Sequence, residues 1–353
     1  MNTKFLRRLK YLTSCLFVLG LSTACDEQNE SVAGSEYRNP SNNSGEQQQV
    51  EVSNEPVADS ERVAGETSNK TFNETFNYEV DRFADIRILR YRVPGFASLG
   101  AQHKELLYYL SEAALSGRDI FYDQNYKHNL RIRRTIEEVI KHYGGDRSTQ
   151  AFDNFITYAK QMWFANGIHH HYSGAKFTPL FTEDYFAELI NGTAGLANYP
   201  LRDGQSVEQL IAQLTPILFD PTLDAKKVNT ADGVDKILTS AVNFYEGVTE
   251  QEVVDYYASK LAGAGATPVS YGLNSKLVKV DGEVTELVWK IGGMYSQALE
   301  QIAYWLEKAI TVAENDKQRR ALELLVAYYH SGDLEDFDAY SIAWVEDTDS
   351  VID

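Results

Sequence analysis

Apolar residues recur every three or four positions over most of the chain beyond residue 100. This spacing puts them on one side of an α-helix, so each such stretch predicts a helix with a buried stripe. In the first stretch Leu106, Leu107 and Leu110 follow the spacing, and Gly117 ends it. The predicted helices are Gln102–Ser116, Leu130–Tyr143, Phe152–Phe164, Ser206–Leu218, Gly233–Tyr245, Glu250–Leu261, Ser296–Ala313 and Lys317–His330.

One pair of segments reads firmly as β-structure instead. Ser275–Val280 and Glu283–Trp289 flank the dipeptide Asp281-Gly282. This dipeptide permits the positive φ angles of a two-residue hairpin turn, so the two segments predict antiparallel strands. We find no repeat of 20–50 residues, which argues against a solenoid. The predicted fold class is therefore α+β, predominantly helical with a small β element.

The chain begins with the pattern of an export signal. Four basic residues precede Leu12–Leu21, an apolar run that is too short for a permanent membrane span. The run closes on Leu21-Ser22-Thr23-Ala24-Cys25, which resembles a bacterial lipobox, so we predict lipidation of Cys25. Residues 1–25 are thus predicted as a lipoprotein signal peptide, and the acyl chains as a stable membrane anchor. The predicted location is outside the cytoplasm, anchored on the periplasmic or outer-surface side of a membrane.

The next segment and the overall charge narrow the class of protein further. Residues 26–77 are rich in Asn, Ser, Glu, Gln and Gly, so they predict a disordered tether. Residues 78–353 are long enough for a sizeable core. The formal net charge of −18 argues against nucleic acid and anionic membrane surfaces as partners, because both would repel the chain.

Three adjacent histidines, His169–His171, form the most reactive-looking group. On a strand His169 and His171 would share a face, whereas adjacent residues on a helix diverge by about 100° and cannot chelate together. Zinc would also need a third protein ligand, and no nearby spacing offers one. We therefore favour a structural loop with hydrogen-bonded histidines, and we predict no metal ligands in this chain.

Other candidate groups give weaker signals. The basic and amide residues between Arg118 and Arg134 would suit a substrate carboxylate, but helix caps and ion pairs are the favoured interpretation. Gly292-Gly293 lacks the spacing of a phosphate loop and predicts a tight junction from strand to helix. The sequence has no G-x-S-x-G nucleophile motif, and we predict no catalytic residue in it.

The final stretch, Gly332–Asp353, places Tyr340 and Trp344 one helical turn apart among many carboxylates. A solvated acidic face with a packed aromatic stripe is one interpretation of this composition. The sequence FDAYSIAWVED, however, closely resembles a segment of the dipeptidyl peptidase III family. Two further segments, Asn166–Thr178 and Lys290–Trp305, also resemble that family. From about Tyr78 onward the chain resembles the amino-terminal half of these zinc exopeptidases, which release dipeptides from the N-terminus of short peptides.

The resemblance implies the lower lobe of a two-lobed zinc peptidase, truncated before the zinc lobe. The family's zinc motif is His-Glu-x-x-Gly-His, and no His-Glu pair occurs in the 353 residues. The resemblance thus implies that the full-length enzyme contains zinc and that this segment binds none. It also implies that the segment as given is inactive. By matching positions, the resemblance assigns short-peptide contacts to Tyr172, whose ring would line a pocket, and to Asp353, whose carboxylate would take the free ammonium.

A second hypothesis is a surface lipoprotein that binds sugars or peptides without catalysis. The 22 tyrosines, 16 phenylalanines and 4 tryptophans suit it, because aromatic faces stack on such ligands. If the chain is instead half of an enzyme, apolar surfaces meant for the other half would be exposed, and we expect marginal stability.

Overall fold

A computed structural model describes residues 76–265 and 267–352. Its helices are α1 (Ala101–Ser116), α2 (Arg118–Asn125), α3 (Asn129–His142), α4 (Gln150–Ala165), α5 (Glu183–Thr193), α6 (Val207–Phe219), α7 (Glu250–Ala262), α8 (Ser296–Thr311), α9 (Asp316–Ser331) and α10 (Leu334–Glu346). Its strands are β1 (Glu79–Phe83), β2 (Ile86–Leu89), β3 (Tyr245–Glu246), β4 (Ser275–Val280) and β5 (Glu283–Val288). The predicted fold class, mostly helical with a small β element, is confirmed.

Side chains fix where several helices begin. At α6 the Ser206 side chain accepts from the N–H of Gln209, and the Gln209 side chain accepts from the N–H of Ser206. Thr249 and Glu252 form the same reciprocal pair at α7. Such capping boxes satisfy N–H groups that the first helical turn leaves unpaired. They explain why both helices begin within one residue of their predicted starts.

The larger core lies between α3, α4, α5 and α6. Phe155 and Phe186 supply buried rings from α4 and α5, while Ile136 and Leu210 reach the same core from α3 and α6. Phe181, in the connection before α5, meets Phe155 edge to face with ring centroids 5.4 Å apart. Each large apolar side chain buried in this way contributes about 1.5–3 kcal/mol relative to an exposed one. This core therefore stabilises the first helical group.

A second helical group consists of α1, α8, α9 and α10. Helix α8 packs against both α1 and α9, and α9 packs against α10. Leu299, Leu306 and Tyr328 are buried at the centre of the group. Leu106 and Ala309 are buried where α1 meets α8. The spacing of apolar residues in the predicted helices accounts for these buried stripes.

The predicted hairpin forms one side of a three-stranded sheet. Strands β4 and β5 pair antiparallel, from Ser275 opposite Val288 to Val280 opposite Glu283. Asp281 and Gly282 adopt φ angles of 51° and 88°, the positive values expected at this turn. Strand β3 adds to β4 in parallel, so β4 is the central strand.

The predicted helix Gly233–Tyr245 is wrong. These residues form turns that lead into β3. The Oδ1 of Asp235 accepts from the N–H groups of Ile237 and Leu238, both at 2.9 Å. Aspartate side chains compete in this way with the backbone hydrogen bonds of a helix. The other oxygen accepts from the N–H of Glu250, which links the turn to the start of α7.

Strands β1 and β2 and helices α2 and α5 were not predicted. In the β1–β2 turn Ala84 adopts a φ of 48°, although alanine gives no turn signal in a sequence. Helix α2 begins directly after Gly117, the residue interpreted as the end of α1. Within the described part of the chain, no helix combines the length and the apolar character needed to cross a membrane. The predicted signal peptide with Cys25, and the predicted tether up to residue 75, lie outside the described residues.

Phe155→Ala is expected to lower the free energy of unfolding by about 3–5 kcal/mol, because removing a buried ring leaves a cavity. Phe155 has 0% exposed surface, whereas Phe164 on the same helix is 42% exposed. Phe164→Ala is therefore the matched control, with an expected loss below about 1 kcal/mol. Guanidinium denaturation followed by circular dichroism measures both variants. Equal losses would contradict the position of this core.

Candidate substrate-binding region

The loop that follows α4 is anchored at its start by a buried asparagine. Asn129 has 0% exposed surface and donates from Nδ2 to the carbonyl of Tyr122 at 3.0 Å. Its Oδ1 accepts from the N–H of Ile168 at 3.1 Å. Gly167 adopts a φ of +151° beside this side chain, where an added Cβ would lie 2.1 Å from Nδ2. Only glycine fits this position, so the stretch Asn166–Thr178 leaves α4 along a fixed path.

His169 is buried inside this loop. Its Nε2 donates to the carbonyl of Asp224 at 2.7 Å, and its ring meets the Tyr126 ring edge to face at 5.5 Å. Burial lowers the pKa of His169 below its ordinary value. The neutral ring carries its proton on Nε2, because a carbonyl can only accept a hydrogen bond.

His170 and His171 make different contacts from His169. The Nδ1 of His170 accepts from the N–H groups of Tyr172 and Ser173 at 3.2 Å, and its Nε2 lies 3.2 Å from Oδ2 of Asp85. His171 stacks on His170 with ring centroids 4.4 Å apart, and burial lowers its pKa. Across residues 76–265 and 267–352, no group of three or more His, Cys, Asp or Glu side chains is arranged to hold a metal ion.

Lys176 anchors the far side of the loop. Its ammonium donates to the carbonyl of Ile217 at 3.0 Å, and also to the carbonyls of Asp220 and Leu223. These carbonyls belong to the end of α6 and to the residues after it, where unpaired carbonyls favour a cation. The N–H of Phe177 also donates to the carbonyl of Ile168 at 2.8 Å. Both arms of the loop are therefore fastened to the first helical group.

Tyr172 lies at the tip of this loop. It is 89% exposed, and its ring centroid is 4.4 Å from that of His171. Because the loop on both sides is held by hydrogen bonds, the ring is presented to solvent from a fixed base. An exposed tyrosine offers a ligand a flat apolar face and a hydroxyl group.

A polar network joins α2 and the start of α8 to the sheet. Asp123 on α2 accepts at Oδ2 from the hydroxyl of Tyr295 at 2.7 Å and from Nδ2 of Asn243 at 3.1 Å. Lys276 on β4 donates to Oδ1 of Asn243 at 2.8 Å and also pairs with Glu246. Burial, together with the charge on Asp123, raises the pKa of Tyr295, so this hydroxyl keeps its proton and donates.

Arg131 and Arg133 of α3 have partners within the protein. Arg133 pairs with Asp119 at 2.6 Å and with Glu137 at 2.8 Å, and its guanidinium lies 4.7 Å from the centre of the Tyr122 ring. Arg131 donates to the carbonyl of Pro200. These side chains therefore join α2, α3 and the loop after α5 rather than forming an open anion site.

The acidic aromatic stretch near the end of the chain forms α10, which covers a cavity of about 400 Å³. Phe337, Tyr340 and Trp344 line the cavity from this helix. Phe337 also packs against Tyr328 of α9, with ring centroids 5.1 Å apart. None of the 13 residues of this fully described helix is buried. One side of α10 therefore forms a wall of the cavity while the other side faces solvent.

Glu314 holds the chain that follows α10. Its carboxylate accepts from the N–H of Val351 at 2.8 Å and from the N–H of Ile352 at 2.7 Å. Burial opposes the charged form of Glu314, but these hydrogen bonds outweigh that effect and lower its pKa. Gln318 donates to the carbonyl of Ile352 at 2.7 Å. Asp353, the predicted partner of a peptide ammonium, lies outside the described residues.

Residues 241–353 match the model of peptidase family M49. This is the dipeptidyl peptidase III family, so the predicted resemblance is confirmed over the part of the chain that holds β3–β5 and α7–α10. None of the curated proteins compared with the chain matches it.

The solved structures that are similar to the chain include two from bacteria. They are DPP III from Caldithrix abyssi and dipeptidyl-peptidase III from Corallococcus sp. strain EGB, each 16% identical with a TM-score of 0.42. Each similarity covers 72% of this chain, and 35% and 34% of those chains respectively. The chain thus spans about a third of the length of these relatives.

The structure brings Tyr172 together with the three histidines and with Asp85 of the β1–β2 hairpin. Sequence reasoning missed Asp85, because it precedes His170 by 85 positions and no local pattern connects them. It also missed the contact between Asp123 and Tyr295, which are 172 positions apart. The cluster of amide and acidic residues around Asp123 was the available signal, and it was interpreted as helix capping.

The docking of the β1–β2 hairpin is expected to depend on pH. Asp81 pairs with Lys160 of α4 at 2.8 Å, and Asp85 with His170 at 3.2 Å. The hydrogen bond from Lys160 lowers the pKa of Asp81, and the one from His170 lowers the pKa of Asp85. A carboxyl whose pKa is lower in the folded state stabilises that state fully at pH values above its unfolded pKa, which is about 3.9 for aspartate. This stabilisation is lost as the pH falls through the folded pKa.

Amides of β1 and β2 should therefore lose hydrogen-exchange protection, relative to those of α4, as the pH falls below about 3.9, the unfolded pKa of aspartate. In the double variant Asp81→Asn, Asp85→Asn this acid step should be absent. Asp203→Asn, at an exposed position, is the matched control and should retain the step. A step that persists in the double variant would show that other groups hold the hairpin.

Proposed function

We propose that this chain forms part of a dipeptidyl peptidase of family M49 and binds the amino-terminal end of a short peptide. The observation that carries the proposal is the match of residues 241–353 to that family. The region with the exposed ring of Tyr172 lies on a loop with both arms anchored, which suits a surface that must position a ligand. We infer a role in substrate binding for this chain.

The residues of this chain do not fit the zinc of such an enzyme. The motif His-Glu-x-x-Gly-His does not occur in the sequence, and the described residues contain no group of three candidate ligands. His169 and His170 are already engaged, by Asp224 and Asp85 respectively. We therefore propose that the chain binds peptide without turnover.

Charge favours a ligand with a free ammonium group. The formal net charge of −18 attracts a cationic peptide end over long range. Asp353 remains our proposed partner for that ammonium, because a charge-assisted hydrogen bond to a carboxylate is about twice as strong as a neutral one. Tyr172 is proposed to contact the first side chains of the peptide, since its ring is exposed to solvent.

Tyr172→Ala should weaken binding of tetra-alanine about tenfold, because a stacked ring contributes about 0.5–1.5 kcal/mol beyond its buried area. Titration calorimetry on the full chain measures this effect, and acetylating the peptide's amino end should weaken binding at least as much. Tyr304→Ala, at an exposed ring on α8, is the matched control. Equal affinities for tetra-alanine and its acetylated form would contradict the proposal, as would arylamine release from a dipeptidyl-arylamide by the chain with zinc.

A second candidate function is binding of sugars without catalysis. Trp305 on α8 is contacted by Tyr108, Tyr109 and Tyr304, with ring centroids 5.1–6.0 Å apart. Tyr108 and Tyr304 are exposed, so the group offers aromatic faces to solvent. The same calorimetric series separates the two functions. Sugar binding is favoured if the parent chain binds an oligosaccharide but not tetra-alanine, and if Tyr304→Ala abolishes binding of the oligosaccharide.

We also propose that the protein is exported and anchored through a lipid on Cys25. Support comes from the apolar run and the lipobox pattern that ends on this residue. Cys25→Ser should move the protein from the membrane fraction to the soluble fraction of a bacterial host, because the acyl anchor is lost. Cys15→Ser is the matched control and should stay with the membrane. Equal membrane association of Cys25→Ser and the parent chain would contradict this proposal.

A further inference from the structure

The cavity beneath α10 is built mainly from apolar side chains. Helices α1, α8 and α9 contribute Leu110, Leu299 and Leu322 among others, and α10 closes one side. Protein interiors rarely keep voids much larger than a water molecule. An engineered apolar cavity of about 150 Å³ stays dry and binds benzene. A cavity of about 400 Å³ with such walls therefore has room for a larger apolar molecule.

A buried amide without a partner lies in the wall of this cavity. Gln124 of α2 is 4% exposed, and its backbone carbonyl accepts from the N–H of Asn243 at 2.8 Å. No hydrogen bond from any residue of the described ranges reaches its side chain. The amide can donate from Nε2 and accept at Oε1. Because Gln124 lines the cavity, a polar group inside the cavity can take up these hydrogen bonds.

A tyrosine places further hydrogen-bonding capacity in the same wall. Tyr329 is 5% exposed, and its hydroxyl has no hydrogen bond to any of the residues that the structure describes. Its side chain lines the cavity together with Gln124. These groups are neutral, and between them they can donate and accept.

The charge of the wall restricts the ligand. Among the described residues that line the cavity, Asp347 is the one charged residue, and none is Lys, Arg or His. The Asp347 carboxylate already accepts from the hydroxyl and N–H of Ser350 and lies 3.4 Å from Nδ2 of Asn315. A ligand carboxylate would therefore enter an apolar space without a cation, which is unfavourable.

We propose that this cavity binds an uncharged amphiphile, an alcohol or primary amide with an apolar body larger than a benzene ring. The head group exchanges hydrogen bonds with the amide of Gln124 and the hydroxyl of Tyr329. The body fills the space between α1, α8, α9 and α10. This site is separate from Tyr172 and its role does not depend on peptide binding there.

Calorimetric titration of the full chain with 1-octanol tests the site. We expect one molecule bound per chain with a dissociation constant below about 1 mM. Gln124→Leu keeps the volume of the side chain but removes its amide, so the affinity should fall about tenfold. Octanoate at pH 8 has the same chain length and a charged head, and it should bind at least about tenfold more weakly than 1-octanol.

Two controls make the result specific to the cavity. Gln301→Leu makes the same chemical change at an exposed position of α8 and should leave the affinity unchanged. Ala321→Leu places extra volume in the wall and should weaken binding, with thermal unfolding by circular dichroism checking that the variant is folded. Absence of 1-octanol binding would overturn the proposal. So would binding that Gln124→Leu leaves unchanged, or octanoate binding as tight as that of 1-octanol.

Discussion

The hydrogen bonds of Asp123 connect segments that are far apart along the chain. Its carboxylate receives the hydroxyl of Tyr295 and the amide of Asn243, and Asn243 in turn receives the ammonium of Lys276. Tyr295 sits at a φ of 65°, which costs a non-glycine residue of order 1 kcal/mol or more. Hydrogen bonds to a charged group contribute about 1.5–3 kcal/mol, enough to offset that strain. The start of α8 is thus set by a side chain of α2.

Helix α2 has only eight residues, but its side chains contact several different parts of the molecule. Consecutive side chains reach three different neighbours: Asp123 the polar network, Gln124 the cavity, and Asn125 the carbonyl of Asn166 at 3.0 Å. Adjacent residues on a helix diverge by about 100°, so three in a row point in three directions. Tyr122 adds a fourth contact, to the guanidinium of Arg133. The loop with Tyr172 and the cavity are therefore positioned from the same short helix.

These contacts also show which parts of the structure could be predicted from the sequence. Helices with a regular apolar stripe and the Asp281-Gly282 hairpin were predicted, because each depends on residues close together in the chain. The error at Gly233–Tyr245 arose where the side chain of Asp235 took backbone N–H groups away from a helix. The role of α2 was missed because its partners lie far along the chain, as with Asp123 and Tyr295. Local spacing contains no information about such pairs.

The two candidate ligand surfaces differ in how they are held. The loop around Tyr172 is fastened by buried groups, Asn129 on one arm and Lys176 on the other. Helix α10 is fixed at its two ends instead. Asn274 donates to the carbonyl of Gly332 at 2.8 Å just before the helix, and Glu314 holds the residues after it.

Between these ends α10 has no fully buried residue, but it packs against α9, where the Phe337 ring meets that of Tyr328. The Gln124 side chain extends into the wall of the cavity from a backbone whose carbonyl accepts from the N–H of Asn243. The few polar groups of a mostly apolar site fix the orientation of a ligand, so a head group that bonds to Gln124 decides how an apolar body lies under α10.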